Sequence, residues 1–172
     1  MIRPECNQNC SYCYITQHGK ELYPLEKRVD TETTLKHIDA FLKYIFDNKL
    51  FVRRWELFAG DLFYDDFFYD VVNVIYNFYK NIETKYPDFV QIIREKSNNP
   101  DYPIIVVPCN FSFCRHKEKI TRLENLIEQY KNNIDLAFGF SYSGDGKYVT
   151  DTRERTEVSD ELYDTIFSLM KR

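Results

Sequence analysis

Three cysteines stand close together near the start of the chain, in the segment Cys6-Asn7-Gln8-Asn9-Cys10-Ser11-Tyr12-Cys13. Their spacing is C-x3-C-x2-C, with an aromatic residue directly before the last cysteine. An ordinary iron–sulfur cubane or a tetrahedral zinc site takes four protein ligands. Three thiolates in one short loop therefore leave one metal position without a nearby protein ligand. An iron left open in this way can hold a chelating small molecule, which would make the loop a reaction site.

Two other interpretations of the same thiols stay open. His18 or Cys109 would complete a closed zinc site, although the cysteine spacing fits no common zinc finger. Alternatively, the three thiols are structural and bind nothing. A disulfide framework is the weakest interpretation, because the five cysteines are an odd number and we expect no export signal. We therefore expect a reducing, cytoplasmic compartment.

Composition predicts one mixed α/β domain over residues 1–172. The length of 172 residues is typical of a single domain, and 44% of the residues are apolar, which is enough for a sizeable core. The formal net charge of −4 argues against a general nucleic-acid binder. No apolar run approaches the roughly 18–20 residues that span a bilayer, so we expect no membrane partner.

Helical and strand patterns alternate along the chain. Asp30 is a suitable N-cap for a helix that starts at Thr31, and Ser159 for the last helix. The apolar run 104–107 has no polar alternation, which predicts a strand buried on both faces. Strands are further predicted around 52–58 and 134–140. Helices are predicted over 65–84 and 88–96, and another helix around the apolar positions Ile120, Leu123, Ile127 and Tyr130.

Alternation of strands and helices implies a parallel sheet, whose ligands bind at the carboxyl ends of the strands. Three polar or glycine-containing segments follow predicted strands: Ala59-Gly60-Asp61, Cys109-Asn110 and Ser143-Gly144-Asp145-Gly146. The cysteine segment joins them if residues 1–3 are the stub of a first strand. The sequence therefore predicts one site at this edge of the sheet.

The cysteine segment resembles the cluster loop of radical S-adenosylmethionine (SAM) enzymes, and Cys6-Asn7 with Cys13-Tyr14 is similar to their SPASM-type, peptide- and protein-modifying branch. The resemblance implies that Cys6, Cys10 and Cys13 hold a [4Fe-4S] cluster whose open iron chelates SAM. An electron from the cluster then cleaves SAM to a 5′-deoxyadenosyl radical, which abstracts a hydrogen from a substrate. It further implies a peptide or protein substrate and an external electron donor.

Later segments resemble other parts of the same family. Trp55-Glu56-Leu57-Phe58-Ala59-Gly60-Asp61-Leu62-Phe63 is similar to its G-G-E segment, with Ala59 and Asp61 as departures, and Asn110 stands where the family often has an Asn. The segment 140–146 resembles its S-x-D-G segment, in which Ser141 fits as well as Ser143. Arg153 or Arg155 would then pair with the SAM carboxylate. The residues that the resemblance assigns to SAM are Tyr12, Ala59, Gly60, Asp61, Asn110, Ser143 and Arg153.

Each assignment has a simpler alternative, in which Asp61 stands in a turn as a helix N-cap, Asn110 satisfies turn backbone and residues 143–146 form a surface turn. Cys109 fits a buried apolar residue and Cys114 a loop thiol better than metal ligands.

The resemblance implies an incomplete parallel (βα) barrel, because about four of the family's six βα units are visible in the sequence. The first strand is a stub and the last strands are missing, so we expect a truncated core domain. An open sheet edge is prone to association, and a partner or a second copy of the chain would cover it. The alternatives to an active enzyme are a non-catalytic module that binds the cluster or SAM, and a zinc-stabilised α/β binding domain.

Overall fold

The computed structural model describes residues 4–8, 10–11, 13–58, 60–96, 102–140 and 160–170. These residues form seven α-helices and a three-stranded parallel sheet. The helices are α1 (Tyr14–Leu22), α2 (Thr31–Asp47), α3 (Phe67–Lys80), α4 (Ile82–Lys85), α5 (Pro87–Lys96), α6 (Lys117–Tyr130) and α7 (Asp160–Met170). The strands are β1 (Arg54–Glu56), β2 (Ile104–Cys109) and β3 (Asp135–Phe140), and short 3-10 helices cover Leu25–Lys27 and Ser112–Arg115.

The sheet has the strand order β1-β2-β3, with both pairs parallel. Arg54 lies opposite Ile104, which in turn lies opposite Asp135, so the three strands start in register. The predicted α/β class with a parallel sheet is therefore confirmed. Three strands do not define a barrel, so the partial barrel stays a prediction. The expected first strand, over residues 1–3, lies outside the described residues.

The start of α2 follows the capping rule. The Asp30 carboxylate accepts a hydrogen bond from the backbone N–H of Thr33 at 2.8 Å, which satisfies one of the free donors of the first turn. Apolar residues at spacings of three and four then place Leu42, Ile45 and Phe46 in the core. At 17 residues α2 is the longest described helix. Within the part of the chain that the structure describes, no helix is long and apolar enough to cross a membrane.

The predicted helix over 65–84 is two helices, α3 and α4, which are separated by Asn81. The sequence predicts that Pro87 stops this helix, and α4 does end at Lys85, while Pro87 is also the first residue of α5. A proline fits that position, because the first N–H of a helix has no intrahelical acceptor. Helix α1, directly after the cysteine segment, was not predicted from the sequence.

Strand β2 is buried on one face only, which corrects the expectation of two buried faces. Ile105, Val107 and Cys109 are buried, while the alternating residues Ile104 and Val106 are half-buried. Successive side chains of a strand point to opposite faces of the sheet. The unbroken apolar run therefore forms a strand with one face in the core and a second face that the described residues cover only in part.

The core is rich in aromatic rings. Phe46, only 1% exposed, contacts rings from α3, α5 and the α4–α5 connection. Its ring centroid lies 5.1–5.6 Å from those of Phe78, Tyr79, Tyr86 and Phe89. Aromatic pairs at these separations are stabilising beyond the area they bury. Phe46 therefore joins α2 to three other parts of the helical layer.

Replacing this residue tests the packing. We expect Phe46→Ala to lower the free energy of unfolding by about 3–5 kcal/mol, because it leaves a cavity among four rings. Tyr44→Ala is a matched control on the same helix, since Tyr44 is 60% exposed. The control should change stability by no more than about 0.5 kcal/mol. Urea denaturation measures both variants, and equal losses would contradict this packing.

Candidate functional site around the cysteine loop

The cysteine loop, residues 4–13, lies with its backbone against the segment that follows β1. The backbone N–H of Asp61 donates to the carbonyl of Glu5 at 2.7 Å. A Cβ atom on Gly60 would lie 2.1 Å from the Glu5 carbonyl oxygen and 2.6 Å from that of Pro4. No real Cβ tolerates such distances, so residue 60 must be glycine for the loop to lie here.

Side-chain amides attach the loop to the end of β2 as well. Asn110 Nδ2 donates to Asn7 Oδ1 at 2.8 Å, and Asn7 Nδ2 donates to Ser112 Oγ at 2.5 Å. The backbone N–H of Ser112 donates to Asn110 Oδ1 at 2.9 Å. The contact from Asn110 Nδ2 to Cys6 Sγ is longer, at 4.0 Å. The cysteine loop thus contacts the carboxyl ends of two neighbouring parallel strands, as the sequence predicted.

Asp61 is the buried charge of the site, with an exposure of 4%. Burial raises the pKa of its carboxyl group, and three groups partly oppose this effect: the backbone N–H groups of Phe63 and Asn110 and the charge of Lys119. The bond from the Phe63 N–H to Asp61 Oδ1 measures 2.9 Å. This geometry is an Asx turn, but the helix that follows, α3, begins at Phe67 directly after Asp66, so Asp61 is not its N-cap.

The three thiols of the loop differ in burial: Cys10 is buried, while Cys6 and Cys13 are half-buried. Burial raises the pKa of Cys6 most, the backbone N–H of Gln8 opposes this, and the negative charges of Asp61, Cys10 and Cys13 raise it further. These thiols therefore lie close enough to interact electrostatically. The N–H of Cys13 also donates to the Cys10 carbonyl at 3.0 Å, which closes a turn between the two cysteines.

The donor set fits an iron–sulfur cluster with one open iron in type and in number: three free thiols on a single loop. The structure does not, however, place these three thiols around one metal position. Among the described residues, no three His, Cys, Asp or Glu side chains surround a common point where they could hold a metal ion. Convergence of the three sulfur atoms within a few ångströms, which the cluster requires, stays a prediction.

The two residues considered as a fourth zinc ligand lie in different surroundings. His18 is exposed on α1, with Nδ1 3.6 Å from a carboxylate oxygen of Glu21. Cys109 is buried, and this burial raises its pKa well above the ordinary value. Cys114 was expected in a loop but is buried in the 3-10 helix Ser112–Arg115, and burial raises its pKa to about 12. Cys109 fits its predicted role as a buried small apolar residue, and Cys114 occupies a buried position as well, where a loop thiol was predicted.

Of the residues predicted to contact SAM, the structure brings together Gly60, Asp61 and Asn110 beside the cysteine loop. The remaining predicted contacts lie outside the described residues: Tyr12, Ala59, Ser143 and Arg153. The alternatives Ser141 and Arg155 lie outside them as well.

Sequence reasoning missed the roles of Asn7, Ser112 and Phe111. Phe111 has a left-handed backbone, with φ 58°, which is rare for a bulky residue and costs conformational energy. Its side chain is buried, so packing holds it there. This bend returns the N–H of Ser112 onto Asn110. The only sequence signals were Asn7 next to a cysteine and Asn110 after a strand, and neither indicates that the two side chains meet.

Comparison of the chain with known proteins found no matching family model, no matching curated protein and no matching solved structure. Function must therefore be argued from the residues themselves.

The raised pKa of Asp61 predicts how stability depends on pH. Between its unfolded and folded pKa values the folded protein binds more protons, so the free energy of unfolding falls as pH rises through that window. Asp61→Asn keeps an oxygen for the Phe63 N–H and removes the buried charge. We expect this variant to gain stability relative to wild type as pH rises from about 4 to 8, whereas the two should converge in acid. Urea denaturation across this range measures it, and parallel profiles would contradict the burial cost.

Proposed function

We propose that this protein is a radical SAM enzyme, or the catalytic fragment of one, with a [4Fe-4S] cluster bound by Cys6, Cys10 and Cys13. One observation carries the proposal. The loop with the three cysteines lies across the carboxyl ends of β1 and β2, where parallel sheets bind their ligands. Asp61 and Asn110 contact this loop at the same end of the sheet and would lie beside a cluster that it held.

When bound, the cluster would supply the electron that cleaves SAM reductively and so starts hydrogen abstraction from a substrate. The protein's own residues bind and orient SAM and exclude water. In this proposal Asp61 pairs with the SAM ammonium, and Ser143 and Arg153 hold its carboxylate, with Tyr12, Ala59, Gly60 and Asn110 lining the pocket. Both charges need such partners once they leave water.

The proposal includes an incomplete (βα) barrel, of which β1, β2 and β3 are three successive strands. A peptide or protein is the proposed substrate class, and an external donor supplies the electron. A partner or a second copy covers the open sheet edge. A reducing, cytoplasmic compartment agrees with this chemistry and with the five free cysteines.

A non-catalytic module that binds the cluster or SAM is the second candidate. The bonds that Asp61 accepts favour it, because this carboxylate already serves the backbone N–H groups of Phe63 and Asn110. In that case Asp61 would only hold the ends of β1 and β2 together, and the loop would bind the cluster without positioning SAM for cleavage.

The cysteine assignment can be tested by substitution. We expect Cys6→Ala, Cys10→Ala and Cys13→Ala each to abolish anaerobic reconstitution of the cluster, because each removes one of three thiolate ligands. Iron and sulfide analysis with visible absorption measures cluster content, and wild type should hold about four irons.

Cys114→Ala and Cys109→Ala are the matched controls, since both thiols are buried and neither belongs to the cysteine loop, and they should keep the full cluster. A loop variant that still forms a SAM-responsive cluster would refute the assignment. Zinc without iron in wild type, lost in Cys109→Ala or His18→Ala, would instead establish the zinc-stabilised alternative.

The role of Asp61 is tested separately. If Asp61 binds the SAM ammonium, Asp61→Asn should weaken SAM affinity by about 1.5–3 kcal/mol, the range for a hydrogen bond that involves a charge. Cluster content should not change, because no thiolate is replaced. Titration of SAM, followed by the electron paramagnetic resonance signal of the reduced cluster, gives the affinity.

Asp66→Asn is the matched control, since Asp66 pairs with Arg122 on the surface. It should leave SAM affinity unchanged. Equal SAM affinity in wild type and Asp61→Asn would make Asp61 a turn residue and would favour the non-catalytic module.

A further inference from the structure

The side chain of Asn110 lies between the end of β2 and the cysteine loop, and every polar atom of its amide has a neighbour. Oδ1 accepts from the Ser112 N–H, while Nδ2 is 2.8 Å from Asn7 Oδ1 and 4.0 Å from Cys6 Sγ. Asn110 and Asn7 are 103 residues apart in sequence. The amide therefore joins two distant parts of the chain at the proposed cluster site.

The orientation of this amide follows from chemistry. A backbone N–H can only donate, so the atom of Asn110 that faces the Ser112 N–H must be the oxygen. Nδ2 must then face the cysteine loop. Its two hydrogens match two acceptors there, Asn7 Oδ1 and Cys6 Sγ. The left-handed backbone of Phe111 supports this arrangement, because it turns the Ser112 N–H back toward Asn110.

We propose that Asn110 is a positioning residue for Cys6: its amide holds the cysteine loop on the end of β2 and directs one N–H at the Cys6 sulfur. Asn110 would then line the SAM pocket without bonding SAM, since both ends of its amide already have partners within the protein. The role in holding the loop stands on the contacts alone. The role toward the sulfur of a bound cluster rests on the proposed function.

The two roles have separate physical consequences. Without the amide, the loop loses the bond from Asn110 to Asn7, keeps the bond from Asn7 to Ser112, and opens more often. An N–H directed at a ligand sulfur stabilises the more negative, reduced form of an iron–sulfur cluster, so that its loss shifts the reduction potential downward. A residue that only supports the fold would not produce this second effect.

Hydrogen–deuterium exchange of the full chain without metal tests the loop role. We expect Asn110→Ala to speed amide exchange in the peptide covering residues 5–13 on the order of fivefold, the effect of losing about one net hydrogen bond. Exchange in β2 should stay slow. Asn125→Ala, an exposed asparagine on α6, is the matched control and should exchange as wild type does.

Asn7→Ala is the second variant, because it breaks the same bridge from the exposed loop side and leaves the core intact. If exchange rises throughout the chain in Asn110→Ala, that variant has lost its fold. Exchange in Asn7→Ala then tests the loop role in its place. Faster exchange confined to residues 5–13 in Asn7→Ala supports the loop role. Unchanged loop exchange in a folded Asn110→Ala, or in Asn7→Ala, overturns it.

The midpoint potential of the reconstituted cluster, measured by redox titration with electron paramagnetic resonance, tests the second role. It should become more negative in Asn110→Ala and stay at the wild-type value in Asn7→Ala, which retains the N–H directed at Cys6. Equal potentials in all three proteins overturn this role. If wild type forms no cluster, the proposed function and the sulfur role both fail, while loop exchange still decides whether Asn110 holds the loop.

Discussion

Residue 60 has space for a hydrogen atom only, because the backbone of Pro4 and Glu5 occupies the position where a side chain would begin. This close approach allows the Asp61 N–H to reach the Glu5 carbonyl, and it fixes where the cysteine loop meets the sheet. Cys6 follows Glu5 in the sequence and lies close enough to Asp61 for the charge of that carboxylate to raise the pKa of the Cys6 thiol. The remaining geometry of the site depends on this contact between the backbone of residues 4–5 and that of residues 60–61.

Aromatic packing below the loop sets the electrostatics of the site. Phe63 stacks on Phe113 with ring centroids 4.1 Å apart and also contacts Phe68 and Phe138. These rings keep water from the ends of the strands, so burial is the main reason that the pKa of Asp61 is raised. The same exclusion of water strengthens any pairing between this carboxylate and a cation. The same layer of aromatic rings thus makes an unpaired charge on Asp61 unfavourable and a charge that is paired with a cation favourable.

Local rules predicted the elements whose determinants lie within a few residues. Asp30 caps α2 as its sequence context indicates, and the alternation of elements predicted the parallel sheet. The errors have longer-range causes. The single buried face of β2 depends on what covers the sheet. The bond between Asn110 and Asn7 joins residues 103 positions apart, which no local pattern encodes.

The turn role and the cation-binding role of Asp61 are compatible in principle. An ionised carboxylate has about four lone-pair positions, and the backbone N–H groups of Phe63 and Asn110 occupy only some of them. Because burial disfavours the charged form, a cation that pairs with this carboxylate must offset that cost and lower its pKa. Cation binding at Asp61 is then coupled to loss of a proton wherever the free carboxyl retains one. The turn therefore keeps the carboxylate in place beside the cysteine loop, and burial gives it an affinity for positive charge that a carboxylate in water lacks.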